Sequence, residues 1–295
     1  MTTAHAGLGV LVAVLWGLAF VATRIGLDSF SPPALAAIRF LIAAVPACVL
    51  PRPPISWTSL IAVGLFLFAG QFLFQFFGIA LGMPAGLAAI VVQTQALFTI
   101  IFAALALRER PTARQVAGTA VALAGLLLIA GTVGEDLSAV GLALTTLSAV
   151  SWAVGNVLLK RLPAVEPLNL AVWLSLVPPI PALALALAMD GPVDLARSVA
   201  MAPWSAVAAA LYLGLVATVI AYAIWGFLLR RHPAAAVTPF ALLAPFVAAG
   251  AAALVLGERF GSLRVSGMAL VLAGLAVLVL RPAAAVRAYR RGDRP

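Results

Sequence analysis

The amino-acid sequence predicts an all-α integral membrane protein in which ten transmembrane helices form two inverted five-helix repeats. Three observations carry the prediction. Of 295 residues, 64% are hydrophobic and only 9% charged, with a mean hydropathy of +1.16, whereas a soluble globular chain carries roughly a quarter charged residues. Apolar runs recur from end to end, each near the ~20 residues that a helix needs to cross a hydrocarbon core. A stretch late in the first half of the chain also overlays one late in the second half without a gap. The runs are long, continuous and rich in Ala, Leu and Gly, which excludes a spanning β-barrel with its short segments of period two.

Breaks at charges and at Pro/Gly clusters place the spans at residues 6–26, 33–50, 58–80, 84–107, 114–133, 138–159, 167–189, 204–226, 235–256 and 263–281. The first is a spanning helix and not a cleaved signal peptide: no Lys or Arg precedes it, and Trp16 and Arg24 interrupt the small-residue cleavage pattern. It places Trp16, Phe20 and Thr23 on one face. Span two carries Arg39 about six residues in, where a charge is expensive. Three roles are open to this residue: receiving a substrate carboxylate, snorkelling to the outer surface, or pairing with Asp28. The structural roles are the favoured ones.

Span three sets Gln71 and Gln75 four apart, on one face. In span four, Gln93 and Gln95 straddle the helix, with hydroxyls at Thr94 and Thr99. Span six carries Thr145, Ser148, Trp152 and Asn156 as a single stripe, and span eight Thr218, Tyr222 and Trp225. An uncharged amide stripped of water needs a partner. Each glutamine is therefore either glue between helices, at roughly 0.6–2 kcal/mol per contact, or part of a cavity lining. Gathered on several spans, the polar groups favour a cavity of amides and aromatic rings suited to small amphipathic solutes. Trp57, Trp204 and Trp225, near span ends, fit interfacial anchors. Prolines interrupt spans two (Pro46), seven (Pro178, Pro179, Pro181) and nine (Pro239, Pro245). The paired interruptions in spans two and seven are candidates for moving or cavity-lining segments.

The repeat is explicit. "ERPTARQVAGTAVALAGLLL" (109–128) lies over "ERFGSLRVSGMALVLAGLAV" (258–277) at an offset of 149, matching Glu109 to Glu258, Gly118 to Gly267 and Gly125 to Gly274. Trp16 precedes Arg24, and Trp152 precedes Lys160, by the same eight residues. Residues 1–134 and 135–295 are thus read as two copies of five spans. An odd number of spans turns the second copy upside down, the plan of many secondary transporters with a substrate site between the copies.

With both termini in the cytoplasm, the inner side holds thirteen basic residues: Arg52, Arg108, Arg110, Arg114, Lys160, Arg161, Arg230, Arg231 and the five tail arginines from Arg281 to Arg294. The outer side holds four: Arg24, Arg197, Arg259 and Arg264. That is a positive-inside bias. The net charge of +9 is spread between apolar runs and reads as topology, not as a nucleic-acid patch; the basic tail is expected to touch anionic lipid. Cys48 is the sole cysteine, so no intrachain disulfide or cysteine metal cluster forms.

Every Asp and Glu, and both histidines (His5 and His232), fall at span ends or in loops. No midplane carboxylate or histidine offers a proton relay. No Walker A pattern, metal-ligand motif or Ser/His pair within a span is present, so no cofactor, metal or catalytic residue is expected, and neither an enzyme nor a scaffold accounts for the repeat as well as transport does.

"LWGLAFVATRIGL", "IRF" in span two, "GMPAGLAAIVVQTQALFTI" in span four, "SWAVGN", "AYAIWG" and the twin "RER" and "GER" endings resemble the drug/metabolite transporter superfamily, most closely its EamA-type amino-acid metabolite exporters. The resemblance covers nearly the whole chain. It implies ten helices in inverted repeats, a bacterial inner-membrane location and outward movement of amino acids or their derivatives.

The expected substrate-binding residues are Trp16, Arg39, Gln71, Gln75, Gln93, Gln95, Ser148, Trp152, Asn156 and Tyr222. The expected activity is facilitated export of broad, mainly neutral and aromatic amino acids by alternating access, by a monomer with lipid as its surroundings. The alternative is efflux of hydrophobic drugs or other small metabolites, with or without proton coupling.

Overall fold

A computed structural model describes residues 1–134 and 136–279; Glu135, the tail arginines and Asp293 lie outside the described residues. Among the described residues there are nine helices long and apolar enough to cross a membrane and one shorter apolar helix, α2: α1 (Thr3–Leu27), α2 (Pro32–Cys48), α3 (Trp57–Ala80), α4 (Ala85–Leu107), α5 (Ala113–Ala130), α6 (Ala139–Leu159), α7 (Pro167–Ala200), α8 (Trp204–Arg231), α9 (Ala234–Val255) and α10 (Ser262–Val279). Most begin on a side chain that accepts from the first turn: Thr2, Ser31, Ser56, Thr112, Ser138 and Glu166 cap α1, α2, α3, α5, α6 and α7. Thr112 and Gln115 complete a capping box. The first helices of the two fourth segments, α4 and α9, begin instead after Pro84 and Pro233, with no local cap.

Two span ends lie beyond expectation: α8 continues past residue 226 to Arg231, and α7 departs further. α7 does not stop near residue 189 but turns at Gly191 (φ 74°), ahead of Pro192, and runs on to Ala200. Glycine tolerates that left-handed φ, and proline starts the new segment without needing its N–H.

The packing is that of an inverted duplication. α1 lies on α8 and α9 as α6 lies on α3 and α4; α2 packs on α8 as α7 packs on α3; and α5 crosses α10. The α5–α10 crossing is self-complementary. A Cβ at Gly118 would sit 2.9 Å from the Gly274 carbonyl oxygen, and one at Gly267 would sit 2.8 Å from the Gly125 carbonyl oxygen. Since Gly118 corresponds to Gly267 and Gly125 to Gly274, the two contacts exchange under the repeat. Small residues let helix backbones approach this closely where lipid supplies no hydrophobic drive between helices.

Both third helices also lose α geometry at equivalent depth, with a π-helical stretch at Leu65–Gly70 in α3 and at Tyr212–Ile220 in α8. Such stretches free carbonyls that hydrocarbon cannot satisfy. Side chains meet them: Ser151 Oγ donates to Phe66 O at 2.7 Å, Thr218 Oγ1 to Leu213 O at 2.8 Å, and Trp16 Nε1 to Ala217 O at 3.1 Å.

The two ends of the bundle are joined by different polar contacts. At one, Lys160 pairs with Glu109 (2.9 Å), Arg230 with Glu166, and His5 Nδ1 lies 2.7 Å from His232 Nε2. At the other, Arg24 pairs with Asp28, Arg264 with Asp136 (2.6 Å), and Ser31 with Asp190.

Candidate functional site

Between the two repeats lies a cavity of about 190 Å³. Its wall is built from α1 (Trp16, Phe20, Thr23), α2 (Arg39), α3 (Gln71, Phe72, Gln75), α4 (Gln93, Gln95), α6 (Trp152), α8 (Ala217, Tyr222) and α9 (Ala241, Ala244, Pro245). Eight of the ten site residues expected from sequence are therefore brought together: Trp16, Arg39, Gln71, Gln75, Gln93, Gln95, Trp152 and Tyr222. Ser148 and Asn156 are not in the wall. Ser148 Oγ turns back to Thr145 O at 2.7 Å, and Asn156 Nδ2 donates to Thr99 Oγ1 at 3.2 Å. Serine and threonine hydroxyls in helices commonly bond backward to their own backbone, and both hydroxyls of the α6 stripe, Thr145 and Ser148, are used up this way. Phe72, Ala217 and Ala241 have no signal in the sequence beyond being apolar, whereas Pro245 is marked there only as an interruption of span nine.

The amides form two pairs. Gln71 Nε2 donates to Gln75 Oε1 at 2.7 Å, and both residues are 3% exposed. Residues 93 and 95 would straddle a regular helix, but α4 tightens there. Gln93 N and Thr94 N bond to carbonyls three residues back, and Thr94 Oγ1 accompanies its own amide onto Val91 O. That turn puts both amides on the cavity side, with Gln95 Nε2 3.4 Å from Gln93 Oε1. Its counterpart in α9 is the 3₁₀ stretch Thr238–Leu243, which contributes Ala241. The interrupted helices at the cavity are thus α3, α4, α8 and α9. Of α2 and α7, whose prolines drew attention in the sequence, only Arg39 reaches the wall.

Arg39 neither snorkels nor pairs with Asp28, which Arg24 engages instead. It is 5% exposed and lies 3.9 Å from the Phe72 ring centroid, with Phe40 and Phe76 at 5.2 and 5.9 Å. Its Nη2 donates to Thr218 Oγ1 at 3.3 Å, and Nε has no partner. Ring faces attract a cation but leave its in-plane N–H edge free. Among the described residues, none in the cavity wall is acidic. Trp225, expected at the interface, packs instead on Trp16 with ring centroids 5.1 Å apart, because α1 and α8 are neighbours. Trp57 and Trp204 are exposed on the apolar surface.

Above the cavity, Glu258 reaches from the α9–α10 loop to the uncapped start of α4. Its carboxylate accepts from Ala85 N at 2.6 Å and Gly86 N at 3.0 Å. Gly86 makes room for it: a Cβ there would lie 3.0 Å from Oε2. Burial raises the pKa of Glu258 above the ordinary carboxylate range, Asp136 adds to the rise, and the two backbone donors and Arg264 oppose it. Under the repeat, the corresponding contact joins Glu109 to Ala234 and Ala235. Among the described residues it is not made; Glu109 holds Lys160.

The chain is 39% identical to a probable amino-acid metabolite efflux pump of Salmonella typhimurium over 92% of its length and 93% of the relative's. It is 38% identical, with the same coverage, to the protein of that description in Escherichia coli. A probable terminal-alkyne amino-acid exporter of Streptantibioticus cattleyicolor is 31% identical over 91% of both chains. A solved crystal structure that is 20% identical superposes with a TM-score of 0.61 over 99% of this chain and all of its own, a likeness of fold. Residues 5–131 and 139–280 each match one family description, and with ten helices packed as a duplicated pair, the chain belongs to the EamA-like transporter family.

Proposed function

We propose that this protein exports amino acids and related metabolites, mainly neutral and aromatic ones, across the bacterial inner membrane as a monomer. The observation that carries the reading is the cavity between the repeats: four amides, five aromatic rings and one cation, with no acidic group among the described residues of its wall. Rings accommodate apolar side chains and amides accommodate polar ends. A cationic drug would meet no counter-charge there, which ranks that alternative lower. The relatives described as amino-acid exporters support the same solute class.

Residues 1–134 and 135–295 are the two halves that rock against each other. Glu258 latches one mouth of the passage while its counterpart Glu109 is engaged elsewhere, and an inverted repeat reaches its opposite state by exchanging the conformations of its halves. The arginine distribution supports an orientation with the Glu258 mouth outside and both termini in the cytoplasm. With no acidic group in the wall, transport is facilitative.

The test is counterflow of a labelled amino-acid panel in liposomes, with and without a pH gradient. Exchange of neutral and aromatic amino acids that ignores the gradient is expected. Absence of exchange overturns the solute class, and acceleration by the gradient overturns the facilitative mechanism. Replacing Gln71 and Gln75 by Leu is expected to abolish exchange in a correctly inserted protein; unchanged exchange would reduce the pair to helix glue.

A further inference from the structure

Buried polar atoms in native proteins are nearly always partnered, and inside a bilayer no bulk water stands in. Among the described residues, four buried side-chain nitrogen or oxygen atoms have no partner: Arg39 Nε, Gln71 Oε1, Gln95 Oε1 and Thr119 Oγ1. Three of the four belong to residues of the one cavity wall. Their chemistry is specific. One is the donor edge of a fixed cation, and two are neutral acceptors.

Other parts of Arg39 are already engaged. Phe72, Phe40 and Phe76 surround the guanidinium, and Thr218 takes Nη2. Gln71 and Gln95 each direct Nε2 to the neighbouring glutamine, and their buried oxygens are left without a partner in residues that line the cavity. An unpaired buried charge costs several kcal/mol, and no carboxylate of the described chain lies within 4 Å of Arg39 to offset it.

We propose that these three atoms are the receptor for the head group of an α-amino acid, Arg39 receiving the carboxylate and Gln71 and Gln95 accepting from the ammonium. The assignment rests on the cavity being the transport site. A guanidinium edge matches a carboxylate in geometry and charge. A single guanidinium balances a monoanion and leaves a dianion such as a phosphate monoester in excess. A bare carboxylic acid leaves both amide oxygens unmet, whereas an α-ammonium has donors for them. Because the ammonium meets dipoles and not a charge, the site depends more on the carboxylate than on the amine. The side chain then lies among Trp16, Phe72, Trp152 and Tyr222, which read size and apolarity and leave the cargo broad.

The experiment is competition against labelled phenylalanine in counterflow with the wild-type protein, paired with quenching of its tryptophan fluorescence in detergent as a direct binding readout. The competitors are unlabelled phenylalanine, phenylalanine amide and N-acetylphenylalanine. Loss of a charge-assisted hydrogen bond predicts at least roughly tenfold weaker competition and binding by the carboxamide. The N-acetyl compound, which keeps the carboxylate and one N–H, falls between it and the parent. Arg39→Lys, retaining charge but not the fork, is expected to lose the discrimination between parent and carboxamide.

Equal competition by parent and carboxamide in the wild type overturns the head-group assignment while leaving amino-acid transport standing. Carboxylate-dependent binding without exchange supports the assignment and overturns the transport reading. Absence of both binding and exchange overturns both. The analogue series needs no variant, so misfolding of Arg39→Lys leaves the test intact.

Discussion

Removing the Glu258 carboxylate tests whether the contact at the start of α4 is a latch. Glu258→Ala deletes both acceptors of the Ala85 and Gly86 amides, at 2.6 and 3.0 Å, and α4 has no local cap to replace them. Loss of a helix cap costs ~1–2 kcal/mol, and the half-buried, partly desolvated carboxylate keeps the figure at that end and not at the higher value for two full charge-assisted bonds. A change of one to two kcal/mol is a factor of roughly 5–30 in a two-state ratio, here latched over unlatched. The reporter is Ala89→Cys, which lines the cavity one turn below Gly86, in a Cys48→Ala background that removes the only native thiol. A membrane-impermeant maleimide applied from the Glu258 face is expected to label this site roughly 5–30-fold faster in Glu258→Ala. Glu258→Gln, keeping one acceptor oxygen, should lie between. If labelling by the impermeant reagent is unchanged by Glu258→Ala, while a permeant maleimide still reaches the site, the contact is a static cap and the gating argument fails.

At the α5–α10 crossing, Gly125→Leu places atoms against the Gly267 carbonyl oxygen and Val271 nitrogen, each 2.6 Å from the new Cβ. Backbone cannot yield as a side chain does, so a destabilisation of ~1–3 kcal/mol is expected, read as a lowered melting temperature in detergent. Gly250→Ala, with nothing within 4 Å of its Cβ, should leave it unchanged. The pKa of His232 is lowered by loss of hydration and by His5, the N-terminal amine and Arg231, and Phe227 packs on His5. A base with a depressed folded pKa contributes stability above its unfolded value near 6.5 and loses it as pH falls through the folded one. The melting temperature should therefore decline below about pH 6.5, and His232→Gln should flatten that decline. Ser148→Ala removes only a bond back to Thr145 O and should leave exchange within about twofold, the effect of a minor intrahelical contact; a larger loss would put Ser148 back at the solute.

The chain's own chemistry determined the ten helices and their duplication. In hydrocarbon each span must satisfy its backbone internally, so element type and number follow from local hydropathy, and the glycines and glutamates at offset 149 mark the two copies without reference to any neighbour. Helical spacing was also enough to gather Trp16, Gln71, Gln75, Trp152 and Tyr222 on plausible faces. It could not separate Trp152 from Ser148 four residues away, because the serine hydroxyl reaches its own backbone while the indole reaches across the bundle. Nor could it bring Gln93 and Gln95 to one side, which depends on the tightened turn at Thr94. The burial of Arg39 among three phenylalanines, the seat of Trp225 on Trp16 and the reach of Glu258 to Ala85 link residues that are distant in the chain or on neighbouring helices. Such contacts arise only when helices pack, and packing decided which polar groups face the cavity and which were already satisfied.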